Sequence, residues 1–205
     1  MRLVAEGLSC VRGVRHLFSG VDVRLESGRA LLVTGANGAG KSSLLRILAG
    51  LAEPAAGTLR LEGDVPADEA LPAERTHYLG HLDALKAPLS VAENLEFWRA
   101  VLGRPARSVE AALAEVGLAG LARLPAALLS AGQKRRLALA RLLVADRPLW
   151  LLDEPTAALD TQGQARFAAI AGAHLAAGGL IVAATHVPLD IGPCDELRLG
   201  GRPAS

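Results

Sequence analysis

Eight consecutive residues, Gly35-Ala36-Asn37-Gly38-Ala39-Gly40-Lys41-Ser42, satisfy the pattern GxxxxGK[ST] at every fixed position. Glycines at these positions let the backbone curl so that successive N–H groups point inward at phosphate oxygens. A helix beginning directly after the loop adds its positive N-terminal end. Lys41 can reach the β- and γ-phosphates, and the Ser42 hydroxyl can ligate Mg²⁺. Ser43 belongs to the same phosphate-binding turn. The chemistry these residues would support is binding and hydrolysis of a nucleoside triphosphate.

A phosphate loop needs a carboxylate to order its metal, and the sequence expectation places it on a neighbouring strand. Leu149-Trp150-Leu151-Leu152-Asp153-Glu154 supplies it. Four apolar residues read as a buried strand, and Asp153 emerges at its C-terminal end, where ligands sit in open α/β sheets. Asp153 would hold Mg²⁺ directly or through water. Glu154 would polarise the attacking water. An acidic pair after a strand can be ordinary surface charge; coupled to the phosphate loop, the catalytic reading is favoured.

These groups need elements to position them. Leu3–Leu8, Val21–Leu25, Ala30–Thr34 and Thr58–Leu61 read as strands, and Ser42–Ala49 as a helix ended by Gly50. From about Leu82 to Ala145 the pattern turns helical, with Val91–Leu102, Ser108–Val116 and Ser130–Ala145 each carrying an apolar face. Strand signals return at Leu149–Asp153 and Leu180–Ala184, separated by a helix around Thr161–Leu175. The expected fold class is α/β: a P-loop NTPase (RecA-like) core with an antiparallel β edge and a helical subdomain. One domain is expected over 1–205, with core 1–81 and 146–205 and the helical subdomain 82–145. Little room remains after the last expected strand for a regulatory domain.

Bulk properties narrow the function. The 205 residues suit one domain. A net charge of +1 and 3% aromatics give neither a basic field nor a stacking platform, so no nucleic-acid partner is expected. Cys10 and Cys194 form no CxxC or zinc spacing, as in a reduced intracellular chain. The N-terminus lacks the long apolar stretch of a signal peptide. Phe167–Leu189 carries no Asp, Glu, Lys or Arg, yet Gly178-Gly179 breaks it, so it reads as helix, turn and buried strand rather than a membrane span.

Leu129-Ser130-Ala131-Gly132-Gln133 resembles the LSGGQ signature of ABC-type ATPases, with Ala131 replacing one Gly. Ser130 can cap a helix running through Lys134-Arg135-Arg136, and Gln133 completes a capping box. Ala158-Leu159-Asp160 resembles the family's D-loop, and His186 its switch histidine. The ordered set covers nearly the whole chain. The resemblance implies ATP with Mg²⁺. It also implies a homodimer in which Ser130, Gly132 and Gln133 of one copy face the γ-phosphate held by the other, with Asp160 crossing the interface. His186 contacts that phosphate in the family.

Two positions depart from the pattern. The family places Gln where this chain has His81, a position that touches Mg²⁺ and links the site to the transmembrane partner. His81 is therefore carried as a metal-site residue, acting through water or as a coupling element, because Mg²⁺ prefers oxygen; an exposed loop histidine is the alternative. Arg12 lies near where the family stacks an aromatic on adenine. A guanidinium can stack on a base, and a surface role is the equal alternative.

Tyr78-Leu79-Gly80-His81, Leu85-Lys86 and Leu89–Leu95 resemble the ATP-binding subunit of the bacterial cytochrome c maturation system, described as a haem exporter ATPase. That resemblance implies a transmembrane subunit as partner and a peripheral position on the cytoplasmic face of the bacterial inner membrane. With no CxxCH and no evident haem ligand pair, direct haem binding is not expected. The rival readings are the ATPase of another ABC exporter, a soluble non-transport ABC ATPase, and a nucleotide kinase or GTPase, in which Leu129–Gln133 would have no job.

Overall fold

A computed structural model describes residues 1–63 and 75–200. Parts of the expected core, residues 64–74 and 201–205, lie outside the described residues. The chain opens with a long antiparallel hairpin, β1 (Arg2–Arg12) and β2 (Arg15–Glu26). Strand β3 (Ala30–Thr34) leads through the glycine-rich loop into helix α1 (Lys41–Leu48). Strands β4 (Ala56–Glu62) and β5 (Thr76–Leu79) follow. Helices α2 (Val91–Leu102), α3 (Val109–Glu115) and α4 (Ala131–Val144) come next, and then β6 (Leu149–Asp153), α5 (Thr161–Ala176), β7 (Leu180–Ala184) and β8 (Cys194–Arg198).

Two sheets result. An antiparallel sheet has the order β2-β1-β4, and a parallel sheet the order β5-β6-β7-β3-β8. The parallel sheet is covered on both faces, which is why its inner strands read as unbroken apolar runs. Leu149, Leu151, Leu180 and Val182 face a core shared with α1 and the antiparallel sheet, through Leu44, Leu45, Leu3 and Leu25. Trp150, Leu152, Ile181 and Ala183 face the opposite core, built with α2, α3, α4 and α5 through Leu95, Leu113, Leu137 and Phe167.

Local signals fix the helix starts. Ser90 and Glu93 form a reciprocal capping box on α2, and Ser130 and Gln133 form another on α4. Asp160 caps α5 by accepting from the Gly163 amide at 2.8 Å. Residues 82–90, ahead of the first helix of this region, form a loop. Buried Asn94 holds them as a loop: its side chain accepts from the Lys86 amide and donates to the carbonyls of Lys86, Leu89 and Ser90.

Two strands escaped the sequence reading. Strand β5 has only four residues, and β8 is a half-exposed edge whose sequence, Cys-Asp-Glu-Leu-Arg, lacks a clean alternation. Charged edges of this kind discourage pairing with other chains. The last strand is thus β8 rather than Leu180–Ala184. No described helix is long and apolar enough to cross a membrane; Phe167–Leu189 divides into the end of α5, a turn and β7.

Candidate active site

Every expected catalytic group leaves the parallel sheet at its C-terminal edge. The phosphate loop follows β3, His81 follows β5, Asp153 ends β6, and His186 follows β7. In one respect the sequence expectation is corrected. The acidic strand β6 is not the hydrogen-bonded neighbour of β3, because β7 lies between them. The excursion through α2–α4 returns the chain beside β5, and the crossover through α5 then places β7 between β6 and β3.

The loop's glycines are demanded by its surroundings. At Gly35, φ is 135° and a Cβ would lie 2.3 Å from the Leu199 carbonyl oxygen, which only glycine permits. Lys41 folds back so that its ammonium donates to the Gly35 carbonyl at 2.8 Å. The first turn of α1 carries no side-chain cap, so its amides are available to an anion.

A cavity of about 510 Å³ opens over this loop. Asn37, Gly38, Gly40, Lys41, Ser42 and Ser43 line its floor, and His81, Asp153 and Glu154 one side. Arg12, Arg15 and Leu17, from the tip of the β1–β2 hairpin, line it too. Arg15 and Leu17 escaped sequence analysis, since a hairpin tip gives no periodic signal. Gly35, Ala36 and Ala39 support the loop without lining the cavity.

Ser42, His81 and Asp153 also line a second cavity of about 410 Å³, together with Arg46, Tyr78, Leu82, Trp98 and Arg141. Arg141 sits 4.6 Å from the Trp98 ring centre and donates to the Tyr78 carbonyl. Burial, and then the nearby Arg135 charge, lower Arg141 to about 10. Among the described residues no cluster of three His, Cys, Asp or Glu side chains is placed to hold a metal. One hydroxyl and one carboxylate facing a phosphate cradle nevertheless fit Mg²⁺, which keeps several waters and shares substrate oxygens.

Glu154 is the best-constrained group. Its carboxylate lies 2.9 Å from Nδ1 of the exposed His186. Its amide donates to the Ala184 carbonyl at 2.8 Å, and its φ is +48°. Non-glycine residues rarely adopt that conformation, and it persists where the surroundings impose it. Buried Arg135 does so on the carbonyl side, donating to the carbonyls of Asp153 and Glu154 at 2.7 Å and of Pro155 at 3.2 Å. In the sequence Arg135 reads as part of the run Leu129–Leu137 and its helix, with nothing to tie it to Glu154.

Not all the expected residues meet. Ser130, Gly132, Gln133 and Asp160 do not line the cavity. Within this chain they cap helices or pack the loop at Ala158.

A family model described as "ABC transporter" matches residues 18–157. A protein of Nitrobacter winogradskyi, "Cytochrome c biogenesis ATP-binding export protein CcmA", is 61% identical over 201 residues, 98% of this chain and 99% of its own length. Two solved structures share the fold. An "ATP binding subunit of ABC transporter" aligns with a TM-score of 0.82 at 23% identity, over 97% of this chain and 86% of its own. A dimeric ATP-binding cassette in a post-hydrolysis state, bound to ADP and Pi, aligns with a TM-score of 0.81 at 21% identity, over 96% of each chain.

Proposed function

This chain belongs to the ABC transporter family as one of its ATP-binding ATPases, and from that premise we propose that it energises an exporter serving cytochrome c biogenesis. The near full-length relative named for that process carries the exporter assignment. The observation that carries the chemistry is the position of Glu154. A carboxylate in an imposed backbone conformation, touching His186, lines the same cavity as Lys41 and Ser42.

In this reading the loop amides and Lys41 bind the β- and γ-phosphates. Ser42 and Asp153 would hold Mg²⁺, which would supply charge neutralisation on the phosphates. Glu154 accepts a hydrogen bond from the attacking water, polarises it and orients it in line. His186, bonded to Glu154, keeps that carboxylate in place, and the family resemblance gives it a contact to the γ-phosphate. Arg12 and Arg15 flank the nucleotide's outer part, where a guanidinium can stack on the base.

Ser130, Gly132 and Gln133 face a second copy in this reading. Two chains close head to tail over two ATP molecules, and Asp160 crosses between them. Residues 82–145 act as the helical subdomain, and the cavity walled by His81, Leu82 and Trp98 is where the membrane subunit senses the site. The assembly is peripheral, on the cytoplasmic face of the inner membrane, and haem does not bind this chain.

The test is genetic and biochemical. Deleting the gene should abolish haem-stained c-type cytochromes in membranes. The wild-type chain should restore them, and Glu154→Gln should not. Normal cytochromes in the deletion strain would remove the assignment to cytochrome c biogenesis.

A further inference from the structure

Arg135 lies on α4, five residues after Ser130, and is only 3% exposed. Its guanidinium grips two separate segments. On one side it holds the Asp153, Glu154 and Pro155 carbonyls. On the other, Nη1 donates to the Gly80 carbonyl at 3.1 Å and to Asp83 Oδ1 at 3.0 Å. Three successive carbonyls can converge on one group because the chain turns at Glu154 through its positive φ.

We propose that Arg135 is a positioning residue that joins the Gly80–Asp83 loop to the backbone of Glu154, so that a shift of that loop displaces the hydrolytic carboxylate. The inference rests on Glu154 polarising water, as assigned above. Its geometry is specific. The Glu154 peptide is clamped from both sides, by Ala184 through its amide and by Arg135 through its carbonyl. Gly80 directly precedes His81, which lines the nucleotide cavity and also the second cavity. Only a planar fork with five donors can serve both segments at once. Lysine, a point charge on a flexible stem, reaches one or the other. Neighbouring Arg136 does not substitute, for its guanidinium turns away to the Gly117 carbonyl.

The experiment is a double-mutant cycle in the full chain, with Arg135→Lys, Asp83→Asn and their combination, and with Arg136→Lys and Glu154→Gln as references. Steady-state ATPase, affinity for a fluorescent ATP analogue and thermal unfolding are read for each. Arg135→Lys should lower kcat about 10- to 100-fold, the scale of a misplaced catalytic group. Its Kd should stay within about threefold, because Arg135 touches no part of the phosphate cradle. Asp83→Asn should lower kcat by about threefold or more in the parent chain, and should have no further effect on Arg135→Lys. Arg136→Lys should turn over like the parent.

Independent, multiplying losses would overturn the proposal, as would a Kd that weakens in step with kcat. If Arg135→Lys fails to fold, Asp83→Asn alone decides: a kcat loss at constant Kd supports the link, and parental kcat overturns it. Parental turnover in Glu154→Gln would instead remove the underlying assignment of Glu154, an outcome distinguishable from the others.

Discussion

Gly132 stands so close to the Ala158 carbonyl that a Cβ on residue 132 would lie 2.8 Å from that oxygen. Ala158 is itself at a φ of +62°, so the loop has little freedom to retreat. Ala131, one residue earlier, is exposed in the first turn of α4. The contact explains why a methyl is tolerated at one position of the signature and excluded at the next. Gly132→Ala should therefore destabilise the chain by about 1–3 kcal/mol, as overpacking against backbone does. Ala131→Gly should change stability by less than about 1 kcal/mol. Urea denaturation of both variants checks the asymmetry.

Glu154→Gln removes the charge from the carboxylate that meets His186. Turnover should fall by about 10²–10⁴-fold, the range of a lost general base, while ATP binding persists. At saturating ATP this variant should also run as a dimer by light scattering. A strict monomer there would contradict the head-to-tail sandwich.

Lys41→Ala should act on binding itself. The ammonium that now donates to the Gly35 carbonyl would no longer be available to phosphate oxygens. Losing a charge-assisted hydrogen bond should weaken ATP binding by about 10- to 100-fold. Isothermal titration gives the number directly, and unchanged affinity would dismiss the loop assignment.

One buried and one half-buried histidine make stability fall with acid. Burial lowers His77 to about 3, where its Nε2 meets the Ala145 carbonyl. Burial lowers His174 to about 4; it stacks on Trp150 at 3.8 Å. Both stay neutral in the folded chain, whereas in the unfolded chain they take up protons below about 6.5. Stability is thus fully present above that pH and is lost as pH falls through the folded values. Each histidine contributes a slope of up to about 1.4 kcal/mol per pH unit. Chemical denaturation followed by tryptophan fluorescence between pH 7 and 4.5 should show this, and His77→Gln should flatten it.

Much of the fold was legible because it is locally encoded. The runs at Ala30–Thr34, Leu149–Asp153 and Leu180–Ala184 announce strands buried on both faces, and all three stand where the sequence put them. Ser130 with Gln133 announces a capped helix start, and the capping box is present. Strand β5 was hidden by its brevity, and β8 by its charged edge position, where burial no longer imposes a pattern. The path of the loop at 82–90 is held by one buried side chain, Asn94, which no local pattern announces.

The sequence by itself determined the phosphate loop, the acidic pair and their flanking elements, because each depends on residues adjacent in the chain. Only the tertiary structure decided that β7 stands between β3 and β6, and that Arg15 and Leu17 reach the nucleotide cavity. It alone drew Arg135, Gly80 and Glu154 into one hydrogen-bonded unit. The physical reason is range. Periodicity, capping and turn chemistry act over a few residues, whereas Arg135 meets carbonyls 55 and 19 positions away in the chain. Such a meeting is set by how the elements pack, and no local pattern records it.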